Sequence, residues 1–168
     1  MKRLHLLRHA KSSWNDSSLD DHDRPLAPRG RNAADAMATW LEKSDVRPRL
    51  VLCSTSTRTR QTLEHVVPAL GDPEIVFEDG LYHASADELH RRVQAIPDGV
   101  DETLLIGHNP GLQDLVLLLA SPGPLRERLA GKLPTGALVT LAVDAGSWRG
   151  LVAGAATLET FVTPRDLG

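Results

Sequence analysis

Three short apolar runs in this chain each break off into residues that have no place in a hydrophobic core. Leu4-His5-Leu6-Leu7 runs straight into Arg8-His9, and Leu50-Val51-Leu52-Cys53 into Ser54 and then Arg58. Thr103-Leu104-Leu105-Ile106-Gly107 runs into His108-Asn109. Runs this short, bounded by polar residues, read as buried strands, because helices need more residues to build an apolar face. Helical patterns separate them. Pro28 opens one, with Ala33, Ala34, Met37, Ala38 and Leu41 on one face. Thr57 to about Val67 forms a second, and Ala86 to Ile96, with Ser85 as N-cap, a third. Pro110 starts a fourth, through Leu112, Leu115, Val116 and Leu119. Strands that alternate with helices predict an α/β fold, a three-layer α/β/α sandwich around a mostly parallel central sheet.

The remaining segments complete this layout. Ile75 to Phe77 reads as a short edge strand, and Leu125 to Leu129 as a short helix. Ala137–Val143 and Ala153–Val162 flank the turn-like Asp144-Ala145-Gly146-Ser147, which predicts an antiparallel C-terminal hairpin. Lys11 to Arg24 is loop-like. With no linker or repeat, residues 1–168 read as one domain, long enough to bury a core without disulfides. The one cysteine, Cys53, sits in an apolar run and reads as a buried, inert thiol in a reducing compartment. No apolar stretch approaches the ~20 residues that span a bilayer, and the N-terminal run is too short for a secretory signal. These features predict a cytoplasmic protein without a membrane partner. A net charge of -3 disfavours a nucleic-acid partner.

The chemistry is in the residues that end the strands. Ligands of open α/β sheets bind outside the carboxyl ends of the strands, so three separate segments deliver Arg8, His9, Arg58 and His108 to one rim. Fifteen of the nineteen basic residues are arginine, whose planar fork suits oxyanions. A neutral imidazole is a competent nucleophile near pH 7. Two guanidinium groups can offset the charge on a transferring phosphoryl group, and the first turn of the second helix favours an anion beside Arg58. Such a set calls for no metal and no cofactor. The acidic run Asp20-Asp21-His22-Asp23 matches no metal motif and reads as a solvated loop, with a folded-over proton donor as the second reading. His5, His65 and His90 have no partners in sequence and read as structural or exposed. Trp14 reads as packing its loop over the first helix, Trp40 and Trp148 as partial core, and Asn109 as an N-cap.

Leu6-Leu7-Arg8-His9-Ala10-Lys11-Ser12-Ser13-Trp14-Asn15 resembles the first motif of the histidine phosphatase superfamily, which has the phosphoglycerate-mutase-like fold. Ser54-Thr55-Ser56-Thr57-Arg58-Thr59-Arg60-Gln61-Thr62 resembles its second, and Ile106-Gly107-His108-Asn109-Pro110-Gly111 its third. Short length and the segments Asp21-His22-Asp23-Arg24-Pro25-Leu26 and Leu81-Tyr82-His83-Ala84-Ser85 are most similar to the SixA-type phosphohistidine phosphatases. The resemblance implies His9 as nucleophile and Arg8, Arg58 and His108 as the phosphate pocket, with Asn15 as a further phosphate contact. It implies a phosphorylated protein as partner, for example a histidine phosphotransfer domain. Two departures stand out: Ala10 replaces a common glycine, and His83 occupies the place where larger branches carry an acidic proton donor. An imidazole leaving group tolerates weak acid help, so this second departure points to an N–P bond. The alternatives are a phosphatase or mutase acting on small phosphate esters and a phosphate-binding module without turnover.

Overall fold

In the computed structural model, which describes residues 1–168, six strands form one sheet. They are β1 (Lys2–Arg8), β2 (Leu50–Ser54), β3 (Glu74–Glu78), β4 (Glu102–Gly107), β5 (Leu138–Val143) and β6 (Ala156–Val162). Their order is β3-β2-β4-β1-β5-β6. The first four neighbours are mutually parallel, and β5 and β6 run antiparallel. This is the α/β sandwich with an antiparallel C-terminal pair that the strand and helix pattern predicts.

Side chains alternate across the sheet because successive strand residues point to opposite faces. Leu4, Leu6, Leu52, Leu105, Val139 and Leu141 join one core, covered by α3 (Ala86–Gln94), α4 (Gly111–Leu119) and α5 (Pro124–Gly131). Leu7, Val51, Cys53, Leu104, Ile106 and Leu138 join the other, under α1 (Pro28–Lys43) and α2 (Thr57–Val66), with Leu167 of α6 (Pro164–Leu167) against it. Cys53 is fully buried, and burial pushes its thiol pKa up to about 12, as an inert cysteine requires. No helix is long and apolar enough to cross a membrane.

Two expectations need correction. β5 and β6 pair as expected, but Asp144–Ser147 is not the whole connection: the chain continues through a 3-10 turn at Trp148–Gly150 before β6 begins at Ala156. Trp148 is entirely buried rather than partial core, because its indole N–H donates to the Val100 carbonyl (2.7 Å) and so loses nothing by leaving water. The histidines without sequence partners all have spatial ones. His5 meets Glu102 (3.0 Å) and Thr140, His65 meets Asp35, and His90 meets the Leu151 carbonyl.

The strand ends are locked level with one another. Arg8 pairs with Gly107 and Cys53 with Ile106, and the His9 N–H donates to the Gly107 carbonyl (3.1 Å). Gly111, at the start of α4, lies against the loop that carries His83. A Cβ there would collide with the Ala84 carbonyl oxygen, a backbone atom that no rotamer change can move. Gly111→Ala is therefore expected to cost about 1–3 kcal/mol through overpacking. In a chain of this size that lowers the melting midpoint by roughly 2–4 °C per kcal/mol, readable by calorimetry.

Candidate active site

A cavity of about 270 Å³ opens at the carboxyl ends of β1, β2 and β4. Arg8, His9, Arg58 and His108 all line it, so the structure brings together the four residues read from the strand ends. His83 lines it as well. Asn15 does not: it is exposed in the loop after β1, and its backbone N–H donates to Ser13 Oγ (3.2 Å). The proposed phosphate contact is thus absent from this wall, because the chain turns away after Trp14.

His9 follows the last residue of β1 and is only 7% exposed. Its Nδ1 lies 2.7 Å from the Ala10 carbonyl oxygen, which can only accept, so Nδ1 carries the proton and Nε2 keeps its lone pair. Burial and the charges of Arg58, Arg8 and Arg24 lower its pKa to about 4, against a smaller raising effect of the Ala10 bond. His9 is therefore a neutral imidazole with a free Nε2 at neutral pH. Ala10 is not among the residues with positive φ, so the alanine in place of glycine is unstrained.

His108 faces it, the ring centroids 5.4 Å apart. Its Nδ1 is 3.4 Å from Arg58 Nη2, a donor only, so Nδ1 accepts and Nε2–H donates to Ser54 Oγ (2.8 Å). Burial, His9, Arg58 and His83 lower the His108 pKa to about 3, with Asp21 opposing them. Arg8 gives Nη1 to the Leu133 carbonyl (2.9 Å), and its Nε is buried without an acceptor. Arg58, second residue of α2 and 3% exposed, also has an unpartnered buried Nε. Burying a donor without a partner costs roughly 1–3 kcal/mol, so both arginines carry unmet donor capacity beside the cavity.

One wall comes from residues to which the sequence reading gave no leading role. The loop after β1 folds back, stitched at its base by the Ser12–Leu26 bridge, and brings Asp21 over the cavity. Arg58 donates to the Asp21 carbonyl (2.7 Å) and to Oδ2 (3.0 Å), Tyr82 to the same Oδ2 (2.5 Å), and Arg24 to Oδ1 (3.2 Å). Burial pushes the Asp21 carboxyl up, but the bonds from Tyr82 and Arg58 and the Arg58 charge outweigh it and hold the group well below the usual carboxylate range. The acidic run is thus no solvated loop at Asp21. Trp14 does not pack on α1 either: it is 74% exposed, with the Arg24 guanidinium over its ring at 3.4 Å. His83 adopts φ 54°, uncommon for a residue with a Cβ, and stacks on Tyr82 with its Nε2 3.5 Å from Asp21 Oδ2. No sequence pattern marks Asp21 and Arg24; the path of the loop between Ser12 and Leu26 brings them to the cavity.

Asn109 does cap α4, one residue earlier than a standard N-cap: its Oδ1 accepts from the Gln113 N–H (3.2 Å), while its Nδ2 donates to the Leu133 carbonyl (3.1 Å). Leu133 thereby ties Arg8 to the His108 segment.

Two facing neutral imidazoles and two arginines thus line one cavity at the carboxyl edge of a phosphoglycerate-mutase-like sheet, a set able to hold an oxyanion. Residues 4–99 match the histidine phosphatase superfamily (branch 1), and the chain belongs to that superfamily. The matched span holds Arg8, His9 and Arg58; His108 lies beyond it and takes its place from β4. An uncharacterized protein of Mycobacterium tuberculosis is 37% identical over 163 residues, covering 95% of this chain and all of the relative. Among solved structures, a candidate phosphohistidine phosphatase SixA from Nakamurella multipartitia superposes with a TM-score of 0.85 at 29% identity, covering 97% of this chain and 96% of that one. The protein histidine phosphatase SixA complexed with tungstate superposes with a TM-score of 0.81 at 25% identity, over 99% of both chains.

Proposed function

We propose that this chain removes phosphate from phosphohistidine in proteins, with His9 as the nucleophile. The observation that carries the reading is the His9 tautomer: Nδ1–H fixed on Ala10 leaves Nε2 free, between Arg8 and Arg58 and opposite His108. In the first step Nε2 forms a bond to phosphorus as the substrate's P–N bond breaks. A substrate imidazole protonated on its other nitrogen leaves neutral. Nδ1–H of His9 stays in place, so phospho-His9 is an imidazolium held by the Ala10 carbonyl. In the second step water displaces the imidazole, phosphate departs, the water proton passes to solvent, and His9 returns neutral.

Arg8 and Arg58 offset charge on the equatorial oxygens through both steps. An arriving oxyanion raises the His108 pKa and lets Nδ1–H donate to it. Asp21 is the single carboxyl group lining the cavity, and it is held ionised by Arg58 and Tyr82. A carboxylate cannot protonate an alkoxide, so ester substrates lack a strong acid here, whereas an imidazole leaving group needs little help. That supports the N–P bond over small phosphate esters. Phosphoramidate and a phosphohistidine protein are expected to turn over much faster than a panel of sugar phosphates, and the reverse ranking would overturn the substrate assignment.

The depressed histidine pKa values have a signed consequence. The unfolded chain binds protons at these imidazoles near pH 6.5, the folded chain only near 4 for His9 and 3 for His108. Their contribution to stability is complete above about 6.5 and is lost as pH falls through that window toward 4 and 3. Imidazole signals in NMR titration are expected to show His9 neutral down to about pH 4, with inorganic phosphate moving the midpoints upward. A His9 midpoint near 6.5 in the free protein would contradict this picture.

A further inference from the structure

We infer that a cationic groove beside the catalytic cavity is a docking site for the carboxylate-rich flank of the phosphorylated protein; this rests on the phosphohistidine-protein reading and names the partner's chemistry. The groove, a cavity of about 680 Å³, is larger than the catalytic one. Arg29, Arg128, Lys132 and Arg165 line it, with no acidic residue in its lining. Asp166 is close by and ion-paired with Arg128 (3.2 Å), whose guanidinium also lies over Phe161. Arg29, Lys132 and Arg165 form no ion pair or side-chain hydrogen bond, although the chain as a whole carries a charge of -3. Four cations on one face of a net-acidic protein are a local field that draws in anions.

The groove and the catalytic cavity are neighbours. Thr135 lines both. Next to it, the Gly136 N–H donates to the carbonyls of Arg8 (3.1 Å) and His9 (2.9 Å). A Cβ on Gly136 would press on Pro164 of the groove (2.9 Å), with Ala10 of the catalytic loop 3.8 Å away. A protein whose phosphoryl group reaches His9 along this side brings its flank over these cations.

Arg29 is also placed against helix electrostatics. It stands in the first turn of α1, which holds no acidic residue, where the helix dipole favours anions. A cation kept there repels the helix end and remains free for an external carboxylate. The floor of Phe161, Pro134 and Pro164 decides between anionic partners. A peptide lays methylenes and backbone on such a floor while its carboxylates meet guanidinium forks. A bare polyphosphate would leave the floor unused.

The test uses the full chain and the triple variant R29E/K132E/R165E, none of whose positions lines the catalytic cavity. A labelled Asp/Glu-rich peptide without phosphate is expected to bind wild type, to weaken with added salt, and to bind the variant about tenfold or more weakly. Phosphohistidine in an acidic peptide is expected to exceed the same residue in a neutral peptide about tenfold in kcat/KM through KM, the ratio collapsing in the variant. Phosphoramidate turnover by the variant stays within about twofold of wild type. Equal binding of acidic and Lys-rich peptides, or an undiminished acidic preference in the variant, would overturn the docking site. So would inorganic polyphosphate binding more tightly than the acidic peptide and losing more in the variant. Wild type that turns over neither phosphoramidate nor phosphohistidine would sink the functional reading instead, and the peptide-binding arm still decides the groove.

Discussion

His9→Ala is expected to lower turnover on the order of 10⁶-fold, the scale on which a covalent hydrolase loses kcat with its nucleophile. The same variant should fail to form the acid-labile, alkali-stable phosphoenzyme that wild type gives with a phosphodonor. Both effects follow from one atom, Nε2, because Nδ1 is committed to the Ala10 carbonyl at 2.7 Å. His108 cannot take over, since its Nε2 is turned to Ser54 (2.8 Å) and its Nδ1 to Arg58. Mass-spectrometric mapping of the labelled residue reads the result directly. Label that persists in His9→Ala, or maps to His108 or His83, would remove His9 from the centre of the reaction.

Arg58→Ala comes next, with an expected loss of about 10²–10³ in kcat/KM, equivalent to ~2.7–4 kcal/mol of transition-state stabilisation. Arg58 is nearly buried and bridges Asp21, His83 and His108. Removing it takes away a charge for the equatorial oxygens and also lets go of Asp21, so the loop wall slackens. Arg58→Lys restores the charge without the planar fork and is expected to recover only part of the loss. Steady-state kinetics on phosphoramidate would measure both variants. A deficit of less than about tenfold for the alanine variant would rule out a phosphate-holding role.

Much of this arrangement was readable before any coordinates, for a local reason. Leu6-Leu7 followed at once by Arg8-His9, and Ile106-Gly107 by His108, mark strand ends because each apolar run is too short for anything else. Parallel strands then bring those ends to one edge. The Ser85 cap and the helix opened at Pro28 are likewise written in a few adjacent residues. What was not legible depends on the path of a loop. Asp21 and Arg24 reach the cavity because the chain doubles back between Ser12 and Leu26, and no periodicity records that. Asn15 fails for the same reason in reverse: its place in a motif does not fix the direction of the loop carrying it. Trp148 is fully buried rather than partial core because the Val100 carbonyl, distant in sequence, accepts its indole N–H.

The walls of the pocket are not equally firm. β1 and β4 are interior strands with a ladder on each side, so the backbones under His9 and His108 are stapled from left and right. The tip of the Lys11–Leu26 segment is fastened to the rest largely by the side chains around Asp21. Deuterium should therefore enter the amides of that tip well before those of β1 and β4. Opening of this kind would widen the entrance while leaving the two imidazoles facing each other, as the phosphoprotein substrate proposed above requires.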